Sequence, residues 1–281
     1  MARLGANSYG KSSVRLTKVV RSGALHTLLE MTVDILLGGE FQRVYTHGEN
    51  DLCIPTDTMK NTVYALARLN GFDSPESLGK ILTAHFIESF PHVAWAEASI
   101  EQTLWERIDV DGSPHPHAFT SAGHARRTGR VRRARGEPAS VSGGIAGLEV
   151  IKTTGSGFSG FLRDQYTTLP ETDDRILATS IDAVWDFPGS DADWNGAFET
   201  ARRSIPRTFA LHDSRSVQQT IYAMGEALLA AVPAISSVSF TLPNRHRLAV
   251  NLEPFHLASA NEIFTATSEP FGLITGTVVR E

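Results

Sequence analysis

Residues Leu29–Leu37, "LEMTVDILL", alternate strictly: Leu29, Met31, Val33, Ile35 and Leu37 are apolar, and Glu30, Thr32 and Asp34 between them are polar. A strand turns successive side chains to opposite faces, so this run predicts a half-buried strand with one face on a core. The preceding run Val14–Val20 joins it through Arg21-Ser22-Gly23, which reads as a hairpin. The pattern then changes period. Met59, Val63 and Leu66 fall at helical spacing in a helix expected to start near Thr58 and stop around Asn70-Gly71. A second helix carries Leu78, Ile81, Leu82 and Phe86, with Asp73 as candidate N-cap, Pro75 just inside and Glu76 at capping-box spacing. Strands are expected again at Val93–Ile100 and Thr103–Ile108.

The order recurs. Leu148–Thr153 and the series Ile181, Ala183, Trp185, Phe187 read as strands. Helical stripes follow at Trp194, Phe198, Ala201, Ile205 and at Val217, Ile221, Met224, Leu228. Strands return with Val238, Phe240, Leu242 and with Leu248, Val250, Leu252. Between the copies lies a Gly/Ser-rich join, Ala139–Gly144. The expectation is an α+β protein of two tandem domains, residues 1–138 and 139–281, with antiparallel sheets and paired helices on one face.

Bulk properties narrow the function. The 281 residues carry a formal charge of −5, which gives no general pull toward nucleic acid. Cys53 is the single cysteine, so neither an internal disulfide nor a multi-thiolate zinc site is available. No apolar run approaches the roughly 20 residues of a membrane helix. With no secretory or peroxisomal signal evident in the chain, the expected location is cytoplasmic.

Several residues admit both a structural and a chemical reading. Thr56 and Asp57, in "PTDTMKNTVY" (Pro55–Tyr64), suit helix capping, yet neither completes a capping box, and free N–H groups at a helix start also hold anions. Phe158 interrupts a Gly/Ser-rich stretch as either a core ring or a stacking surface. Arg175 follows Glu171, Asp173 and Asp174, offering a local ion pair or a fork for a planar ligand. Pro243 in "LPNRH" (Leu242–His246) marks an edge or a bulge. His246 reads either as a structural or exposed histidine or as a proton carrier, a role open to histidine side chains. Lys11 alone is an ordinary solvated lysine, but beside a threonine hydroxyl and a histidine it can serve in a proton relay.

These pieces resemble one family. "YGK" (Tyr9–Lys11), "TDTMKNTVY", "DGSPHPHAF" (Asp111–Phe119), "GFSGFLRDQYTTLPETDDRIL" (Gly157–Leu177), "SVQQTIY" (Ser216–Tyr222) and "LPNRH" occur in the order of the urate oxidases, with agreement reaching Gly272-Leu273-Ile274. The resemblance implies two tunnelling-fold domains per subunit, sheets of several subunits closing into barrels, and oxidation of urate by O2 and water with no metal or organic cofactor. It implies a Lys11–Thr56–His246 proton relay and a clamp of Arg175 and Gln218. It further implies stacking by Phe158, backbone donors at Asp57 and Val217, and O2 held by Asn244 and Thr56. Lys11, Thr56 and Asp57 would come from one subunit of a homotetramer and the remainder from its neighbour.

Two rival readings compete. Six arginines, Arg126, Arg127, Arg130, Arg132, Arg133 and Arg135, would suit a phosphate backbone, though no aromatics interleave and a solvated hairpin arm also accounts for them. His115 and His117 suggest the zinc of pterin-handling tunnelling-fold enzymes, with no third ligand apparent.

Overall fold

The computed structural model describes residues 2–258, 261–267 and 269–281. The chain forms two compact units, one of Met1–Gly144 with Trp185–Phe198, the other of Ile145–Val184 with Glu199–Glu281.

In the first unit, β1 (Tyr9–Ser22), β2 (Leu25–Gly39), β3 (Val93–Val110) and β4 (Ser113–Ala134) lie side by side in sequence order, each pair antiparallel. The β2 register places Met31 opposite Leu16 and Val33 opposite Val14, so the alternating apolar residues share one face. That face buries Met31, Val33, Ile35 and Leu37 with Met59, Val63, Leu78, Leu82 and Phe86, from α2 (Thr56–Leu69) and α3 (Pro75–Ser89). A short α1 (Gln42–His47) precedes them; at 6 residues it has no period for sequence to reveal.

Three local expectations are corrected. Ser74, not Asp73, caps α3, in a reciprocal box with Ser77, which frees Glu76 for burial. Glu76 meets Arg127 at 2.8 Å, and both are nearly inaccessible to solvent. The two short strands expected at Val93–Ile100 and Thr103–Ile108 are one strand, turning at Asp111-Gly112 into β4. The Gly/Ser-rich join belongs mostly to β5 (Ser140–Lys152). A side chain at Gly143 would lie 2.7 Å from the Trp185 indole nitrogen and 2.8 Å from Glu76 Oε1, so close packing explains this glycine.

The arginine run is a strand. Arg127 also reaches Asn195, Arg130 and Arg132 share Glu97, and Arg133 pairs with Glu88. Arg135 donates to the carbonyls of Ile87, Phe90 and Val93. The arm is therefore not simply solvated; most of its guanidinium groups are engaged within the fold.

In the second unit β5, β6 (Leu177–Phe187), β7 (Ser237–Asn244) and β10 (Gly272–Val279) repeat the neighbour order, and β7 and β10 are antiparallel. Helices α4 (Trp194–Leu211) and α5 (Val217–Ala231) supply the buried Ile205, Phe209, Ile221, Met224 and Leu228. The returning strand is β10. Leu248 instead sits in β8 (Arg247–Ala249), which pairs with β9 (Phe264–Ala266), and β10 holds the place beside β7. Among the described residues no helix is long and apolar enough to cross a membrane.

Candidate functional site

The expected site residues form two groups, one in each unit. In the first, Thr56 and Asp57 are the opening residues of α2, whose N-cap position is Pro55 with no side-chain cap. The helix therefore starts before Thr58, and its first ladder bond runs from the Met59 N–H to the Pro55 carbonyl (3.1 Å). The first N–H groups of a helix have no partner within it. Thr56 and Asp57 are solvent-exposed beside these donors. The Asp57 carboxylate is occupied by Lys60 and by the Asn61 amide at 3.0 Å. The Lys60 hydrogen bond, helped by the charges of Lys60 and Lys11, holds that carboxyl below its usual pKa. Asp57 is thus a fixed anion with its backbone N–H left for another group. Lys11 pairs across the sheet with Ile35, on the face that carries the helices. At its other end α2 is closed by Lys18, which donates to the carbonyls of Ala67 (3.0 Å) and Asn70 (2.9 Å).

The second group is tied together by backbone. Phe158 and Thr172 exchange hydrogen bonds of 2.7 and 3.1 Å, and the Arg175 N–H donates to the Ser156 carbonyl (2.7 Å). Asp174 accepts from the Thr154 hydroxyl at 2.7 Å, and this bond keeps its carboxyl below the usual range. The other side of the loop runs parallel to the segment before α5: Gly157 donates to the Ser214 carbonyl (2.8 Å), and Ser214 donates to Gly155 (3.0 Å). Ser216 then caps α5, accepting from the Gln219 N–H at 3.1 Å, while the Gln219 side chain accepts from the Arg215 N–H. Short links therefore connect Phe158 and Arg175 to Val217 and Gln218.

The Arg175 guanidinium lies 5.4 Å from the centre of the Phe158 ring, within cation–π range. Its Nε is buried without a hydrogen-bond partner, and burial lowers its pKa from the ordinary arginine value. A buried guanidinium N–H left unsatisfied is unfavourable, so the place suits an acceptor. Phe158 also stacks on Phe161, at 4.9 Å and 14°. Gln218 is exposed, whereas Val217 is buried as a side chain and sits at the first helical position.

Asn244 ends β7 opposite Gly272 of β10. Pro243 is neither on an edge nor at a register shift with β10, since β7 runs between β6 and β10. The Thr179 hydroxyl donates to the Pro243 carbonyl (2.8 Å), satisfying that acceptor, while proline itself offers no N–H to the sheet. Beyond it the Arg245 N–H donates to Ala178 (2.9 Å), and the His246 carbonyl accepts from the Thr267 N–H (3.1 Å).

The two histidines of the zinc reading touch each other, with ring centres 4.5 Å apart, and His117 also lies 5.6 Å from His26. Among the described residues no three His, Cys, Asp or Glu side chains converge as metal ligands. Sequence reasoning passed over Tyr9 as a functional contributor and Ser216 as a cap. Ser216-Val217-Gln218-Gln219 has the capping-box spacing that would have revealed the latter.

The uricase family model matches residues 7–132 and again 141–275, once for each set of repeated elements. The uricase of Arthrobacter globiformis is 41% identical over 278 residues, covering 99% of this chain and 90% of the relative. The uricase of Aspergillus flavus is 40% identical over 300 residues, covering 100% and 98%. The crystal structure of the Arthrobacter globiformis uricase superposes with a TM-score of 0.94 at 40% identity, covering 100% of this chain and 96% of that one. Its two matched halves, its tunnelling-fold architecture and this full-length similarity establish that the chain belongs to the uricase family of oxidoreductases, the urate oxidases.

Proposed function

We propose that this protein oxidises urate with O2 and water to 5-hydroxyisourate and hydrogen peroxide, with no metal or organic cofactor. The observation that carries the reading is the Arg175 guanidinium, half-buried over Phe158 with an unsatisfied Nε–H, on a loop tied to the start of α5. That combination suits a flat, electron-rich anion. Arg175 donates charge-assisted hydrogen bonds and Gln218 adds its amide. Phe158 offers a ring face, contributing about 1 kcal/mol beyond burial. The backbone N–H groups of Asp57 and Val217, both in the first turns of helices, serve the remaining edges.

The redox balance closes without another electron carrier. Urate gives up two electrons, O2 takes them with two protons to become hydrogen peroxide, and water adds a hydroxyl to the oxidised ring. The protein's tasks are then to form the anion, hold it, position O2 and move protons. Lys11, Thr56 and His246 form the relay, and Asn244 with Thr56 holds O2 or the water that follows it. Lys11, Thr56 and Asp57 serve from one subunit and Phe158, Arg175, Val217, Gln218, Asn244 and His246 from its neighbour, in a homotetramer.

Loss of urate ultraviolet absorbance, followed together with peroxide release in the presence of a strong chelator, tests this directly. Both signals are expected to proceed at the chelator-free rate. A chelator-abolished reaction or absence of both signals would contradict it.

A further inference from the structure

We propose that Tyr9 is a positioning residue that sets Lys11 against the start of α2, an inference that rests on the proton-relay reading above. The Tyr9 hydroxyl accepts a hydrogen bond from the Ile54 backbone N–H at 2.7 Å and also meets the Cys53 side chain. This bond lies two residues before Lys11 on β1 and two residues before Thr56 at the start of α2. It therefore joins the two segments that carry Lys11 and Thr56.

The link is built to be rigid. The Tyr9 ring packs edge-on against the fully buried Phe41, with centres 4.8 Å apart and planes at 87°. Ile54 is itself 4% exposed. The Tyr45 hydroxyl donates to the Ser8 carbonyl just before it, at 3.1 Å. Burial raises the Tyr9 pKa, so the hydroxyl stays neutral and keeps its own proton while its oxygen accepts from Ile54.

The strand is fixed on both sides of Lys11. A Cβ at Gly10 would stand 1.8 Å from the Ile35 carbonyl oxygen, so no other residue allows this approach of β1 to β2. Beyond Lys11 the register slips before Val14, Ser13 adopts φ 58°, and its N–H donates to Asp34 Oδ1 at 2.6 Å. A bulge next to a functional residue re-aims its side chain. The three residues of "YGK" thus divide the work into a cross-link, a close approach and a base.

The test is steady-state urate oxidation by the assembled wild type, Tyr9→Phe and Ile100→Val. Tyr9→Phe keeps the ring on Phe41 and removes the hydroxyl, with its bond from Ile54 and its contact with Cys53. Its kcat is expected to fall about tenfold with KM for urate within about twofold, since a small misplacement of a relay group slows the chemical step more than binding. Ile100→Val, in the buried core of β3, is a control for lost stability, expected to lower the thermal midpoint while leaving kcat within about twofold. An unchanged kcat in Tyr9→Phe, a rise in KM alone, or equal kcat losses in both variants would overturn the inference. Failure of the wild type to consume urate would instead remove the proton-relay reading, and this inference with it.

Discussion

Two helix starts carry the proposed chemistry, and they are built differently. The first N–H groups of α5 are partly satisfied by Ser216, and the Gln219 side chain accepts from the Arg215 N–H just before the cap. The start of α2 has Pro55 in the cap position, and proline offers no side-chain oxygen. The α5 end is made to be stable and to hold Phe158 and Arg175 in register through Ser214. The α2 end gives up a cap, worth about 1 kcal/mol, and so leaves donors and the Thr56 hydroxyl available to a ligand. The α5 start holds the grip of Arg175 and Phe158; the α2 start offers the Thr56 hydroxyl to the relay.

Substitutions that act on only one region should separate these roles. The largest effect is expected from Arg175→Ala, which removes the charged partner of the anion: KM for urate should rise about a hundredfold in steady-state kinetics. A KM within a few-fold of wild type would place the grip elsewhere. Thr56→Ala should lower kcat about a hundredfold with little change in urate affinity by titration, the range for losing a proton-transfer group. Loss of affinity with an intact kcat would reverse the assignment of the two regions. Ser216→Ala should lower stability by about 1 kcal/mol in denaturant unfolding. Its kinetic effect should fall on KM, because the cap holds the gripping loop. The smallest effect is the most diagnostic. Pro55→Ser installs the missing cap and should stabilise the protein by about 0.5 kcal/mol while slowing turnover several-fold. Gain of stability with unchanged turnover would mean that the open helix end is incidental.

The difference also explains what was legible in the sequence. Periodicity revealed the repeated order of strands and helices because each element buries one face, as Leu29–Leu37 does. It could not distinguish a glycine that joins domains from Gly143, which makes room for Trp185, since that depends on a residue far along the chain. The arginine run looked like a surface arm because its carboxylate partners, Glu76, Glu88 and Glu97, are contributed by other elements. Likewise, "YGK" identified Lys11 through resemblance alone. The reason for its tyrosine emerges only when Ile54 is brought beside it. The motifs named candidate residues, whereas the physical reasons for their placement are non-local contacts.

The most direct test of the two-region account is complementation between subunits. Thr56→Ala and Arg175→Ala chains, each nearly inactive alone, are co-expressed so that they assemble at random. If each site takes Thr56 from one subunit and Arg175 from another, about a quarter of the sites in the mixed oligomers should be intact, and urate oxidation should return to about a quarter of the wild-type rate. Activity no higher than the mean of the two separate variants, in oligomers shown to be mixed, would contradict the shared site.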